Sequence, residues 1–274
     1  MKIKELIYLF GIQPKPKTYP WEVMEYDLPE DGLVQYAQWQ HPAETIKPVR
    51  HREVTELRKF LSPGDVAIDI GAHSGDTTIP MALAVGPSGC VLALEPNPYV
   101  FGVLEKNSNL NLDKTNIVPL MFAATPQPGT FYFEYSDEGF CNGGLHDNIS
   151  KWRHGHAFKL KVQGKHLPSY LKKYHADLIP KIRLIKVDAE GFDYQILKSL
   201  ETLISLVKPY IKAEIFKHAP LDVREEMYDF LLGHGYEVYR VQDELDFLGE
   251  PLTQENLMEE RHYDVFCVPA STRS

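Results

Sequence analysis

Two stretches of this chain set glycine and carboxylate side by side where a strand gives way to a helix. The first is Asp69-Ile-Gly-Ala-His-Ser-Gly75, and the second is Lys186-Val-Asp-Ala-Glu-Gly-Phe-Asp193. In both, glycine lets the backbone turn tightly and come close to a ligand, at the carboxyl end of an apolar strand where open α/β sheets bind their ligands. A third acidic residue, Glu95, follows another apolar run 20 residues beyond Gly75. A carboxylate there can accept two hydrogen bonds from a ribose diol. Glycine turn plus ribose carboxylate points to an adenosine-containing cofactor.

A dinucleotide would ask for G-x-G-x-x-G, so that the backbone can approach a pyrophosphate. Here Ala72, His73 and Ser74 separate Gly71 from Gly75, and the middle glycine is missing. Asp69 would also repel a pyrophosphate, whereas it suits the ammonium group of S-adenosylmethionine. No Walker-type phosphate loop is present. The plainer view of the first motif is a tight turn that binds nothing. For Glu190 and Asp193 it is that acids favour the positive end of a helix, with Gly191 easing the turn. Asp188 is expected to project over the sheet edge, close to the reacting centre.

Asp69-Ile-Gly-Ala-His-Ser-Gly75, Glu95-Pro-Asn97 and above all Ile185-Lys-Val-Asp-Ala-Glu-Gly191, with Leu197 and Leu200 beyond it, resemble the FkbM family of methyltransferases. The resemblance spans roughly residues 50–218 and includes Ala123-Ala124 and Asn142-Gly-Gly144. It departs at His73, where the family more often shows Asn. It implies a Rossmann-like class I methyltransferase fold: α/β, with a seven-stranded, mostly parallel sheet, helices on both faces and one antiparallel strand in the last hairpin. It also implies S-adenosylmethionine as cofactor and O-methylation, commonly of sugar or polyketide hydroxyls. Carried over by position, Asp69, Gly71 and Gly75 would line the methionine and ribose side, with Ala72 and His73 in the same turn. Glu95 would hold the ribose hydroxyls, with Asn97 beside it, and Ala123 and Ala124 would flank the adenine.

The elements that must position these residues read as follows. Residues 13–50 are rich in proline and aromatics, and alternation in Trp21–Tyr26 before Pro29-Glu-Asp-Gly32 suggests a hairpin. We take residues 1–50 as an N-terminal appendage and 51–274 as the methyltransferase domain. Short apolar strands at 66–70, 90–94, 116–124, 182–187 and 209–215 alternate with helices at 51–60, up to 84, 99–109, 192–206 and 221–232. Such alternation marks a parallel sheet covered on both faces. Residues 129–135 and 158–163 read as further strands flanking a long polar loop, and 235–241 and 262–268 as the closing pair.

Methyl transfer needs an acceptor oxygen held in line with the methyl carbon, and an aliphatic hydroxyl needs a base to take its proton. Candidates are Asp188, His218 and His73; we favour Asp188 as polar anchor and His218 as base. Asp188, Glu190, Glu214 and His218 could alternatively gather a divalent cation, but the reading adopted takes no metal. The acceptor pocket is expected from residues 1–50 and the loop 137–157, with Trp21, Trp39, Phe140 and Trp152 as stacking or merely packing aromatics. Lys151-Trp-Arg-His-Gly-His156 is a basic-aromatic cluster that fits a solvated hairpin tip or an acidic substrate.

A formal net charge of −9 argues against nucleic-acid and anionic-lipid partners. The expected partner is a small molecule or glycan bearing a hydroxyl, and assembly into a homo-oligomer is compatible with this. Three cysteines without metal or redox spacing suggest a reducing compartment. The apolar run after Met1 is about seven residues, too short for a signal or a span. The location expected is cytoplasmic. Two other readings stand beside it: an NAD-dependent oxidoreductase on a similar sheet, disfavoured by the missing G-x-G-x-x-G, and a non-catalytic cofactor-binding member.

Overall fold

Alternating residues after Pro20 form β1 (Trp21–Leu28), and Gly32, at φ 65°, closes the turn into β2 (Gly32–Trp39). The structure is a computed structural model and describes residues 16–135, 143–144, 158–243 and 246–270. After α1 (His51–Leu57) come β3 (Val66–Ile70), α2 (Thr78–Val85) and β4 (Cys90–Leu94). Next is α3 (Pro98–Ser108), capped by the Asn97 side chain, which accepts from the Tyr99 N–H. β5 (Ile117–Leu120), β6 (Ala123–Ala124), β7 (Gly129–Tyr135), β8 (Gly143–Gly144), β9 (Phe158–Lys165) and α4 (Leu167–Tyr174) follow. The chain then runs through β10 (Ile182–Val187), α5 (Asp193–Ser199), α6 (Glu201–Val207) and β11 (Tyr210–Ile215). It closes with α7 (Leu221–Gly233), β12 (Tyr236–Arg240) and β13 (Tyr263–Pro269).

The central sheet has seven strands in the order β12-β13-β11-β10-β3-β4-β5, and β13 alone runs antiparallel to its neighbours. Every residue of β3 and β4 is buried, as a parallel sheet covered on both faces requires. Side chains alternate between two cores. Val66, Ile68 and Ile70 join α5, α6 and α7 on one face. Ala67 joins α1, α2 and the hairpin on the other. Cys90 and Cys267 are free thiols buried in the sheet. Ile70 pairs with both Leu94 and Val187, so three strand tips end at one level. Strand order reverses between β3 and β10, and that switch point is where such sheets leave a crevice.

Two expected elements are subdivided. The apolar run 116–124 splits, because β5 pairs with β4 while β6 pairs with β9 in a second sheet of order β6-β9-β7-β8. The helix expected over 192–206 divides at Leu200. The N-terminal hairpin shares the core: Leu28, Val34 and Tyr36 are buried with α1 and α2. Asn107 on α3 binds the strand by its side chain, accepting from Ala37 N–H (2.6 Å) and donating to Ala37 O (3.1 Å). Asn111 makes the same pair of bonds to Gln35, each 2.8 Å. The expectations for Met1–Phe10 and for most of 137–157, including Phe140, Cys141, Asn142 and Trp152, fall outside the described residues.

Candidate active site

The turns after β3 and β10 touch. Gly71 has φ 79°, and a Cβ there would collide with the carbonyl oxygen of Asp188. Only glycine permits both the left-handed backbone and that approach. The Asp188 N–H donates to Ile70 O at 3.0 Å, and Lys186 Nζ donates to Gly71 O at 3.1 Å. Gly75, φ 97°, lies against Leu104 and brings α3 close to the turn.

Glu95 leaves the tip of β4 and is buried. Its Oε2 accepts the His73 N–H at 3.0 Å and its Oε1 the Asn97 N–H at 2.8 Å. Each oxygen keeps a lone pair for a ligand hydroxyl. Burial pushes the Glu95 carboxyl up to about 7, against the pull of those two N–H groups. From Glu95 an apolar recess runs between Phe122, Ala123, Ala124, Phe133, Phe192 and Ile196. In the other direction a polar cleft of about 340 Å³ is walled by Glu44, Thr45, Lys47, His73, Asp76 and Thr77. Gly71, Glu95, Asp188 and Glu190 line both halves. An apolar recess, a buried acid and a charged end thus lie along one continuous cleft.

Not every expected residue faces this cleft. Asp69, expected to meet the ammonium group, is fully buried. Its Oδ2 accepts the hydroxyls of Thr77 (2.8 Å) and Thr78 (2.6 Å), and its Oδ1 lies 3.3 Å from Lys186 Nζ. It shares the Ala67 face of β3, which points inward. Ala72 is likewise buried in the core, holding the turn through its N–H to Leu94 O. Asn97 donates its backbone N–H to Glu95, while its side-chain oxygen accepts the Tyr99 N–H at the α3 cap. His218 is exposed beyond β11, edge-on to Phe216 (5.5 Å), and lines neither half of the cleft. Trp39 is buried beside His41 and His73, and Trp21 is exposed.

His73 does line the cleft. Its φ of 48° is left-handed, a region where Asn, Asp and His are the enriched non-glycine residues; His can therefore stand where Asn is common. Burial, and then Lys47, lower its pKa. Lys186 was part of a sequence motif without an assigned role. It is buried and bridges Asp69 and Asp188, at 3.3 Å from each. Burial alone would lower its pKa, yet the two carboxylates hold it raised. Asp193 takes the N–H groups of Ala189 and Gly191, fixing the turn after β10. Among the described residues no three His, Cys, Asp or Glu side chains are grouped to hold a metal ion. No helix there is long and apolar enough to cross a membrane.

A seven-stranded sheet of this order, parallel but for β13 and covered by helices on both faces, is a Rossmann-like fold of the class I methyltransferase type. The model of the family described as "Methyltransferase FkbM domain" matches residues 69–238, more than half of the chain, and the chain belongs to this family of S-adenosylmethionine-dependent methyltransferases. It is similar to the methyltransferase sdnD of Sordaria araneosa, 25% identical over 194 residues that cover 63% of this chain and 74% of the relative. Solved structures similar to it include an FkbM methyltransferase from Methylobacillus flagellatus KT: TM-score 0.45, 14% identity, covering 76% of this chain and 44% of that one. Another is an S-adenosylmethionine-dependent O-methyltransferase from Thermotoga maritima: TM-score 0.42, 14% identity, covering 98% and 83%.

Proposed function

We propose that the enzyme methylates a hydroxyl oxygen of a small molecule or glycan, with adenosine in the apolar half of the cleft and the acceptor beside Asp188. Glu95 takes the ribose hydroxyls, and Ala123 and Ala124 flank the adenine. S-Adenosylmethionine, when bound, supplies an electrophilic methyl group on a sulfonium centre. The chain's own residues do the rest. The turns at Gly71 and Asp188 hold the reacting end at the switch point, and Lys186 fixes the Asp188 carboxylate in place. Asp188, exposed at the junction of the two halves, accepts the acceptor's hydroxyl proton as the new C–O bond forms. A positioned base of this kind contributes roughly 10²–10⁴-fold.

The observation carrying this reading is the location of Asp188: it lines both cavities, is exposed to them, and is held 3.3 Å from the buried Lys186 Nζ. The net charge of −9 supports a partner other than nucleic acid or anionic membrane. The two buried free thiols are compatible with a reducing, cytoplasmic setting. The experiment is a screen of sugars and hydroxylated natural products with methyl-labelled cofactor, the product position being read by NMR. Labelled methyl ethers are expected. In the Asp188→Asn variant turnover should fall about 10²–10⁴-fold while S-adenosylhomocysteine still binds. Label on nitrogen or carbon, or an Asp188→Asn enzyme with full turnover, would contradict the proposal.

A further inference from the structure

The polar half of the cleft is bordered by Ala43, Glu44, Thr45 and Lys47, between β2 and α1, which precede the family-matched region. This strap is built rather than loose. Gln38 on β2 holds it from both sides: its Oε1 accepts the Lys47 N–H at 2.8 Å and its Nε2 donates to Thr45 O at 3.1 Å. Glu44 N–H donates to His41 O at 2.9 Å. The strap thereby presents two opposite charges to the cavity. Lys47 Nζ lies 2.9 Å from Glu44 Oε1 and 3.1 Å from Asp76 Oδ2. His73 sits between them, Nδ1 at 3.5 Å from Lys47 Nζ and Nε2 at 3.8 Å from Glu44 Oε2. The Glu44 side chain is 5% exposed.

A carboxylate taken so far out of water must be matched by positive charge. Lys47 pairs with both Glu44 and Asp76, so one ammonium and two carboxylates stand together on the wall of the cavity. An α-amino acid brings both signs: an ammonium for the acids and a carboxylate for the lysine. From this geometry we infer that Glu44 and Lys47 bind the amino-acid end of the cofactor, Lys47 its carboxylate and Glu44, with Asp76, its ammonium. The inference rests on the cofactor orientation proposed above, with adenosine at the opposite end. It also replaces Asp69, which the sheet buries, as the group facing the ammonium. Residues outside the family-matched region would then complete the cofactor site.

Calorimetric titration separates the two charges. The probes are S-adenosylhomocysteine, decarboxylated S-adenosylmethionine, which keeps the ammonium only, and 5′-methylthioadenosine, which has neither group. Loss of a charged hydrogen bond corresponds to roughly 10- to 100-fold in affinity. Lys47→Gln should weaken S-adenosylhomocysteine by that factor and leave the other two within about two-fold. Glu44→Gln should weaken both ammonium-bearing probes and spare 5′-methylthioadenosine. Equal loss on all three probes, or none on any, overturns the inference, since a merely structural strap would behave in one of those ways. A Glu95→Ala protein that binds all three probes as tightly as the unaltered one would instead sink the adenosine placement on which it rests.

Discussion

Lys186 and Asp69 show what a single residue type discloses and what it hides. That an acid stands near the end of β3 and a lysine near the end of β10 is plain from the residue order. Which way each points is not, because all five residues of β3 are buried and a strand without alternation gives no face. Asp69 falls on the inward face and organises the turn through Thr77, Thr78 and Lys186. Glu95 and Asp188 were legible because each is the first residue past its strand, where a side chain must leave the sheet.

Glu214 carries a residue-scale prediction. Burial, and then Asp193, Asp188, Glu190 and Asp264, push its carboxyl up to about 9 from 4.5; His262 Nε2 lies 3.4 Å from it. Over that interval the folded chain keeps a proton that the unfolded chain has lost. Its contribution is complete below about pH 4.5 and declines as pH rises to about 9. Glu214→Gln removes this titration, so the fall in melting temperature between about pH 6 and about pH 9 should become shallower. An unchanged slope would show that Glu214 does not titrate as its surroundings require.

Among the elements, the parallel strands and their helices were legible because period and composition agree over each segment. The split of 116–124 was not, since a continuous apolar run looks alike whether one sheet or two receive it. Nor was the partnership of the hairpin with α3, which depends on asparagines meeting a strand's backbone across 70 residues of sequence or more. Asn107 joins the hairpin and, through Ser74 O at 2.8 Å, the turn after β3. Asn107→Ala leaves buried Ala37 and Ser74 groups unmatched and should cost on the order of 3 kcal/mol in denaturant unfolding. A loss below about 0.5 kcal/mol would mean that the Asn107 side chain does not hold the hairpin.

For the whole molecule, the glycine turns mattered because the strand order brings them together. Gly71 and Asp188 are far apart in the chain and adjacent in space, at the reversal between β3 and β10. The family resemblance implied that sheet, and the observed order has it. Glu44 and Lys47 were illegible by contrast: they sit in an aperiodic, proline-flanked segment, and only folding carries that segment across the cleft.

Binding of S-adenosylhomocysteine as a function of pH tests the placement of the nucleoside most directly. With ribose on Glu95, affinity should rise from about pH 6 to about pH 8 as that carboxyl, poised at about 7, ionises and becomes the stronger acceptor. In Glu95→Gln the affinity should be roughly 10- to 100-fold lower and independent of pH over this range. Equal affinity and the same pH profile in both proteins would place the ribose elsewhere.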